Sequence, residues 1–131
     1  MSEIPLPSAT SIRRIEFSDT DASGRYHYAT ALRLFEAAES DLLAQLGLLD
    51  EIYTSMPRKK ITFEYHRVLE FMDEVEVTVS VRNLGRTSLT YGFEVRRDGE
   101  LCVSGELVVV FVDGEGNPQP WDDRHRSLFL P

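Results

Sequence analysis

The sequence predicts an α+β protein in which one long helix packs against a curled sheet of five antiparallel strands. Apolar residues recur every three or four positions over residues 28–46, and they alternate with polar residues in several later segments. The dipeptide Asp98-Gly99 between two of those segments is typical of a tight turn between antiparallel strands. Because a twisted sheet curls round the helix that covers it, we expect a layered architecture.

The first strand is predicted just ahead of a polar stretch that contains two acids. Ile15 and Phe17 share one face of a short extended segment, which ends at Ser18-Asp19-Thr20-Asp21. Gly24 follows, and its conformational freedom permits the backbone to turn there. The polar stretch therefore connects the first strand to the helix.

One helix is predicted from about Tyr28 to Leu46, and it ends at Gly47, a residue type common after a last helical turn. At about 1.5 Å per residue it spans about 27 Å, long enough to cross a sheet. Its apolar stripe is wide, which favours a helix nested against a sheet. The stripe contains Ala31, Leu32, Leu34, Phe35, Ala37, Ala38, Leu42, Leu43 and Leu46.

Four strands are predicted after the helix. Turn signals at Gly85-Arg86 and Asp98-Gly99 separate the last three of them, so these strands form an antiparallel meander. The alternating apolar positions are Ile61, Phe63 and Tyr65; Val75, Val77, Val79 and Val81; Leu89, Tyr91, Phe93 and Val95; and those of a last strand from Leu101 to Val112.

The last strand is apolar on both faces from Leu107 to Val112, which predicts that it lies inside the sheet or beneath a partner. After Asp113-Gly114, residues 121–130 are expected to form one or two helical turns. We interpret the chain as a single domain, residues 1–131, with a core of about 10–113 and a C-terminal tail of 114–131. A five-stranded sheet leaves its outer strands open, so a homodimer or homotetramer is expected.

Composition argues against several functions. The net charge of -8 disfavours binding to nucleic acid or to anionic membranes, because both need a positive face. The longest apolar run, Leu107 to Val112, is too short to span a bilayer. Residues 1–7 have neither the basic start nor the apolar core of a secretory signal, so a cytoplasmic location is expected.

Cys102 has no second cysteine to pair with, and it is expected to be a buried or half-buried strand residue.

The polar stretch lies where a strand ends and a helix begins, and this position suggests chemistry. The first turn of a helix has free backbone N–H groups and the positive end of the helix dipole, which can polarise a carbonyl or hold an oxyanion. A carboxylate beside such donors can attack an acyl carbon or take a proton from water, and both roles suit hydrolysis of an activated ester. Asp21 is the candidate, although aspartates are also common in turns and helix caps.

The neighbours of Asp21 leave alternatives open. Asp19 is interpreted as a turn residue. His27 is either an acid or base that works with Asp21 or a residue that packs and hydrogen-bonds at the helix entry. No metal is expected, because His27, His66 and His125 lack the spacing of zinc ligands. The turn Gly85-Arg86-Thr87-Ser88 can hold a phosphate or be simply solvated.

Residues 19–36 resemble a known family. The run Asp19-Thr20-Asp21-Ala22-Ser23-Gly24, followed by Ala29-Thr30-Ala31-Leu32-Arg33-Leu34-Phe35-Glu36, is similar to the signature of hotdog-fold thioesterases of the 4-hydroxybenzoyl-CoA thioesterase type. Residues 60–81 look like the second and third strands of that family, and residues 85–89 are similar to its third hairpin. The resemblance implies a hotdog fold, a five-stranded antiparallel sheet wrapped round one long central helix.

The resemblance also implies roles for individual residues. Asp21, the second acid of the pair, corresponds to the catalytic carboxylate of the family, and the backbone N–H of Tyr28 corresponds to the group that polarises the carbonyl. The residues that correspond to those binding the CoA arm are Arg86, Thr87 and Ser88, which serve the site of a neighbouring subunit.

Other positions depart from the pattern or offer alternatives. Arg25-Tyr26-His27-Tyr28 differs from what relatives usually carry there, and Ala31 replaces an aromatic residue, which bears on the acyl group accepted. His27 is a second-rank candidate for contacting the thioester or orienting Asp21. Another branch of hotdog proteins uses a carboxylate on the central helix, and Glu36 or Glu39 is the corresponding candidate.

The expected function is hydrolysis of acyl-CoA thioesters to free acid and CoA by a homo-oligomer that needs no cofactor. A non-catalytic acyl-CoA-binding or regulatory hotdog protein is the main alternative, and an acyl-carrier-protein thioesterase differs from the expected enzyme only in the carrier. A hotdog hydratase is disfavoured because the sequence lacks an Asp-x-Asn-Pro-x-His-like segment.

Overall fold

The computed structural model describes residues 6–131. Residues 1–5, on which the expectation about a secretory signal largely rests, lie outside the described part. The strands are β1 (Ser8–Arg14), β2 (Arg58–Tyr65), β3 (Glu74–Leu84), β4 (Ser88–Arg97) and β5 (Glu100–Val110), and the helices are α1 (Thr30–Gln45), α2 (Leu49–Ile52) and α3 (Asp123–Phe129). Short 3-10 helices cover Phe17–Asp19 and Tyr53–Ser55.

The strands form one antiparallel sheet in the order β1-β3-β4-β5-β2. The predicted α+β hotdog arrangement is confirmed, since the long helix α1 packs against this five-stranded sheet. The predicted turn at Asp98-Gly99 joins β4 to β5, and both residues have positive φ, 51° and 79°, as a tight two-residue turn between twisted strands requires. The strand β5 lies between β4 and β2, so its apolar character on both faces matches an interior position.

The first strand is not where the sequence pattern put it. β1 ends at Arg14, and Phe17 begins a 3-10 helix with its side chain 74% exposed. Ile15 is fully buried, but it lies after the strand, where its N–H and C=O bond to Asp73 and Met72 of the loop before β3. The prediction relied on only two alternating apolar residues, Ile15 and Phe17. Two such residues are too few to establish a strand, because here one is buried and the other is exposed.

The core is an apolar layer between α1 and the inner face of the sheet. Phe35 of α1 makes edge contacts with Tyr91 and Phe93 of β4, at ring distances of 5.3 and 5.6 Å. Such aromatic pairs add to the free energy gained by burying their area. The helix begins two residues later than predicted, at Thr30, and Gly47 follows it with a φ of 73° that suits a helix end.

The C-terminal tail packs onto the same core. The predicted helical turns are present as α3, and the side chains of Trp121 and Phe129 are buried. Trp121 stacks on Phe111, which follows β5, with the two rings parallel and 4.5 Å apart. The tail therefore contributes to the hydrophobic core.

Candidate active site

The polar stretch between β1 and α1 folds into a compact loop. Gly24 has a φ of 80°, and its N–H donates to the Asp21 carbonyl at 3.0 Å. Single bridges join Thr20 to Tyr26 and Arg25 to Glu70, and Tyr26 N–H donates to the Leu69 carbonyl at 2.8 Å. The loop is thus held on one side by its own turn and on the other by the loop before β3.

Asp19 is a structural residue of this loop. Its side chain is only 5% exposed, and its two oxygens accept hydrogen bonds from Arg33 at 2.8 and 2.6 Å and from Glu16 N–H at 2.7 Å. Its carbonyl accepts from His27 N–H and from the Thr30 hydroxyl. Asp19 therefore ties the 3-10 helix to the start of α1, which goes beyond the turn role that its sequence position indicates.

Asp21 has the opposite environment. Its side chain is exposed, and one oxygen, Oδ1, accepts hydrogen bonds from the hydroxyl and the N–H of Ser23. Among residues 6–131, no group donates a hydrogen bond to the other oxygen, Oδ2. The Ser23 hydroxyl and then the Ser23 N–H hold the pKa of the Asp21 carboxyl below its ordinary value. Asp21 is therefore an oriented, ionised carboxylate with one oxygen free.

The backbone around Tyr28 is fixed on both sides. The carbonyl of His27 accepts from Thr30 N–H at 2.9 Å, and the carbonyl of Tyr28 accepts from the Tyr65 hydroxyl at 2.8 Å. Within the described chain, the N–H of Tyr28 donates to no protein atom. It lies two residues before the first residue of α1, at the end of the helix where such a donor can polarise a carbonyl.

His27 is oriented by its own loop. Its Nδ1 accepts from Ala29 N–H at 3.1 Å, so in the neutral ring the proton is on Nε2. The ring lies against that of Tyr28, with centroids 4.3 Å apart. The contact with Ala29 matches the expectation that a histidine here hydrogen-bonds at the helix entry.

An open cleft of about 390 Å³ lies at the start of α1, and its lining includes Asp19, His27, Thr30 and Arg33. Asp21 and Tyr28 are exposed but do not belong to the lining. A groove of about 410 Å³ lies elsewhere, on the outer face of β2, β4 and β5 among residues such as Thr62 and Ser104, and it contains none of the candidate residues. We regard the cleft beside α1 as the candidate site, because Thr20, His27 and Ala29, the chain neighbours of Asp21 and Tyr28, line it.

The predicted CoA-binding residues lie on the turn between β3 and β4 and at the first residue of β4. Arg86 is exposed, and Thr87 and Ser88 are half-buried. Within the described chain, Arg86 forms no ion pair. The backbone N–H groups of Arg86 and Thr87 donate to no atom of residues 6–131. Successive free N–H groups beside an arginine are a suitable arrangement for a phosphate.

A single chain does not bring this turn close to Asp21. The loop that contains Asp21, residues 19–28, is called the Asp21 loop. It contacts residues that precede β3, and the turn follows β3 at its other end. Since β3 has 11 residues, the two ends are about 35 Å apart at roughly 3.3 Å per residue. Asp21 and Tyr28 are therefore near each other in the chain and share one end of the sheet, and residues 86–88 are at the opposite end.

The alternative carboxylates on α1 are engaged by Arg58 of β2. Glu39 is fully buried, and its two oxygens accept from Arg58 at 2.8 and 2.7 Å. Glu36 is half-exposed and lies 3.5 Å from the same guanidinium. Burial works against the charged form of Arg58, but the hydrogen bonds and charge of Glu39 outweigh it, and the pKa of Arg58 is raised. Glu39 is thus a buried structural partner of β2.

Sequence reasoning did not identify the residues that hold the site. Ser23 follows Asp21 by two positions, the spacing at which an aspartate side chain accepts from a nearby backbone N–H, and this signal was available. The pairing of Arg33 with Asp19 and of Tyr65 with the Tyr28 carbonyl spans distant parts of the chain. No local pattern indicates such contacts.

The described structure also bears on metal binding and on membrane insertion. In the part of the chain that the structure describes, no three His, Cys, Asp or Glu side chains are grouped so as to hold a metal ion. None of the helices found between residues 6 and 131 has the length and apolar character needed to cross a membrane.

Comparison with known proteins identifies relatives over most of the chain. The acyl-CoA thioester hydrolase YbgC of Escherichia coli O6:H1 is 28% identical over 106 residues, which cover 76% of this chain and 78% of that protein. The 1,4-dihydroxy-2-naphthoyl-CoA hydrolase of Thermosynechococcus vestitus is 32% identical over 94 residues, covering 66% of this chain and 64% of the relative.

Solved structures share the whole fold. A thioesterase from Thermus thermophilus, complexed with coenzyme A and Zn, superposes with a TM-score of 0.81 at 28% identity and covers 95% of each chain. The family model described as the thioesterase-like superfamily matches residues 15–128, which run from just after β1 into α3. The chain belongs to the thioesterase-like superfamily.

Proposed function

We propose that this chain hydrolyses acyl-CoA thioesters to a free acid and CoA, with Asp21 as the catalytic carboxylate. The observation that carries the proposal is the contrast within one short loop. Asp19 is buried and fully hydrogen-bonded, whereas Asp21 is exposed, ionised and oriented by Ser23, and no group among residues 6–131 donates to its Oδ2. The relatives named above as acyl-CoA and 1,4-dihydroxy-2-naphthoyl-CoA hydrolases support this substrate class.

In the proposed reaction, the thioester carbonyl accepts a hydrogen bond from the free N–H of Tyr28. This donor stabilises the negative charge that develops on the carbonyl oxygen. Oδ2 of Asp21 either attacks the acyl carbon or takes a proton from the water that attacks it. The C–S bond breaks and CoA leaves as a thiolate. In the first route, water then hydrolyses the acyl-aspartate anhydride and restores the carboxylate.

His27 has a supporting role in this proposal. Its Nδ1 is occupied by Ala29 N–H, so only Nε2–H is available as a donor. Because the ring lines the cleft beside α1, Nε2–H is available to the thioester. This arrangement favours contact with the substrate over the alternative, in which His27 orients Asp21.

We propose further that the complete site combines two copies of the chain. The strand β2 is at one edge of the sheet, and it exposes two large apolar residues, Ile61 (44%) and Tyr65 (47%). An unpaired edge of this kind favours pairing with a second copy. In an antiparallel pair of β2 strands, the Tyr65 end of one meets the Arg58 end of the other.

This pairing explains the separation of the candidate residues. The Tyr65 hydroxyl bonds to Tyr28, so the Tyr65 end belongs to the Asp21 loop. Arg58 pairs with Val109 of β5, whose neighbour Val110 pairs with Ser88, so the Arg58 end belongs to the β3–β4 turn. A two-fold axis between the two β2 strands therefore brings the turn of one copy to the end of the sheet that carries Asp21 of the other. There Arg86, Thr87 and Ser88 bind the CoA phosphates.

The function is tested by measuring free thiol released from a panel of aliphatic and aromatic acyl-CoAs and from an acyl-carrier-protein thioester. We expect release from at least one acyl-CoA. Binding of acyl-CoA without any release favours the non-catalytic alternative, and release only from the carrier protein favours the acyl-carrier-protein thioesterase.

A further inference from the structure

The turn between β3 and β4 is anchored by the C-terminal segment, residues 121–130. The backbone N–H of Trp121 donates to the Arg86 carbonyl at 3.0 Å, and its indole Nε1–H donates to the Ser88 carbonyl at 2.9 Å. Arg126 of α3 donates to the Gly85 carbonyl at 3.2 Å. Three of the four carbonyls of the turn therefore accept hydrogen bonds from one short segment.

The fourth carbonyl is also occupied, by a residue that packs on the same segment. Phe111 N–H donates to the Thr87 carbonyl at 2.8 Å, and the Phe111 ring stacks on Trp121. With all carbonyls of residues 85–88 bonded on this side, the backbone of the turn is fixed. The N–H groups of Arg86 and Thr87 have no partner among the described residues.

The C-terminal segment is itself fastened at a second place. Arg124 of α3 makes two hydrogen bonds to Glu51 in α2, at 2.7 and 2.9 Å, and His125 packs edge-on against Phe111 and Trp121. Trp121 and Phe129 are buried, at 4% and 0% exposure. The segment is thus a rigid support, and a buried Trp121 can influence a ligand only through the turn that it holds.

We infer that Trp121 and Arg126 are positioning residues for CoA, which orient the β3–β4 turn so that its free N–H groups and Arg86 meet a phosphate. This inference rests on the proposed function in one respect, the role of the turn in binding CoA. Pre-organising a binding loop strengthens binding by removing the cost of ordering it. The segment 121–130 should therefore affect affinity for CoA and leave the chemical step unchanged.

Two variants test this inference, with a matched control. Trp121→Phe removes the indole N–H and keeps an aromatic ring to stack on Phe111, and Arg126→Met removes the donor to Gly85. Arg124→Met makes the same change in the same helix but breaks only the pair with Glu51. The midpoint of thermal unfolding of each variant shows whether it folds.

The first readout is the Kd of coenzyme A, measured by calorimetry without turnover. Trp121→Phe and Arg126→Met should each weaken CoA binding by about threefold to tenfold, the range expected when one hydrogen bond is lost. Arg124→Met should change it by less than about twofold, as a surface substitution does. Pantetheine, which lacks the nucleotide and its phosphates, should bind all four proteins equally.

The second readout is the kinetics with an acyl-CoA that the wild type hydrolyses. In both test variants KM should rise by a similar factor while kcat stays at the wild-type value. Unchanged KM and Kd in folded Trp121→Phe, or an equal effect of Arg124→Met, would overturn the inference. Failure of the proposed function is a separate result, namely no thiol release by the wild type, because CoA binding is measured independently of hydrolysis.

Discussion

Asp19 and Asp21 lie two residues apart and have different surroundings. From the residues alone the two acids cannot be distinguished, because aspartates are common in turns and in helix caps. Resemblance to a family selects Asp21, and the surroundings of the two acids supply a physical reason for that choice. The carboxylate oxygens of Asp19 accept hydrogen bonds from Arg33 and Glu16 N–H, whereas Oδ2 of Asp21 accepts none from residues 6–131.

Ser23 should control the ionisation of Asp21. Its hydroxyl is the main reason that the pKa of Asp21 is below the ordinary value of 3.8. The charged form is therefore favoured in the folded protein, a contribution that is present above the unfolded pKa and is lost as the pH falls through the folded one. Ser23→Ala should raise the pKa, and carbon NMR titration of the Asp21 carboxyl measures it.

Ser18→Ala is the matched control for that titration, because Ser18 is an exposed serine of the same loop that makes no hydrogen bond to Asp21. It should leave the pKa of Asp21 unchanged. In Ser23→Ala, the acid limb of the pH profile of kcat/KM should shift to higher pH, as the pKa of Asp21 does. An unchanged pKa in Ser23→Ala would show that Ser23 does not hold the carboxylate in solution.

At the scale of elements, long periodic segments are predictable from the sequence and short ones are not. The helix α1 and the valine-rich strand β3 have many repeats of their period, so each pattern is hard to produce by chance. The β1 prediction used two apolar residues and placed the strand too far along the chain. The alternation in β2 was correct, but Ile61 and Tyr65 are nearly half exposed, because β2 is an edge strand. Edge position depends on strand order, which local sequence does not encode.

The junction between α1 and β2 provides a stability test. Replacing Arg58 by methionine leaves Glu39 fully buried and without its partner, so Arg58→Met should lower the free energy of unfolding by about 3 kcal/mol. Arg13→Met is the matched change in a half-exposed pair with Asp41, and it should cost less than about 1 kcal/mol. Denaturant unfolding of both variants gives the difference, and equal losses would contradict the assigned role of the buried pair.

At the scale of the whole molecule, the proposed site depends on a second copy of the chain. The sequence predicts open outer strands, and residues 86–88 are expected to serve the site of a neighbour. The structure adds that the loop containing Asp21 and the β3–β4 turn are at opposite ends of β3, so in the proposed site the turn comes from a neighbour. A prediction from sequence could not supply that arrangement, because it requires strand order and register.

The β2 edge should therefore be the interface. Ile61→Asp introduces a charge on β2, and we expect it to convert the oligomer to a monomer and to abolish most thioester hydrolysis. Ile12→Asp makes the same change at an exposed position of β1, the strand at the opposite edge, and should do neither. Light scattering coupled to gel filtration measures the mass. A monomeric Ile61→Asp protein with wild-type activity would show that one chain holds a complete site.

The identity of the catalytic carboxylate is the central claim, and single-turnover thiol release tests it most directly. Asp21→Asn should slow release by about 10²-fold or more, the contribution typical of a positioned acid or base, and should lower stability only slightly because the side chain is exposed. Glu36→Gln, which changes the half-exposed carboxylate on α1, should react at nearly the wild-type rate. Wild-type activity in Asp21→Asn together with a loss in Glu36→Gln would contradict the proposed mechanism and assign the chemistry to the helix.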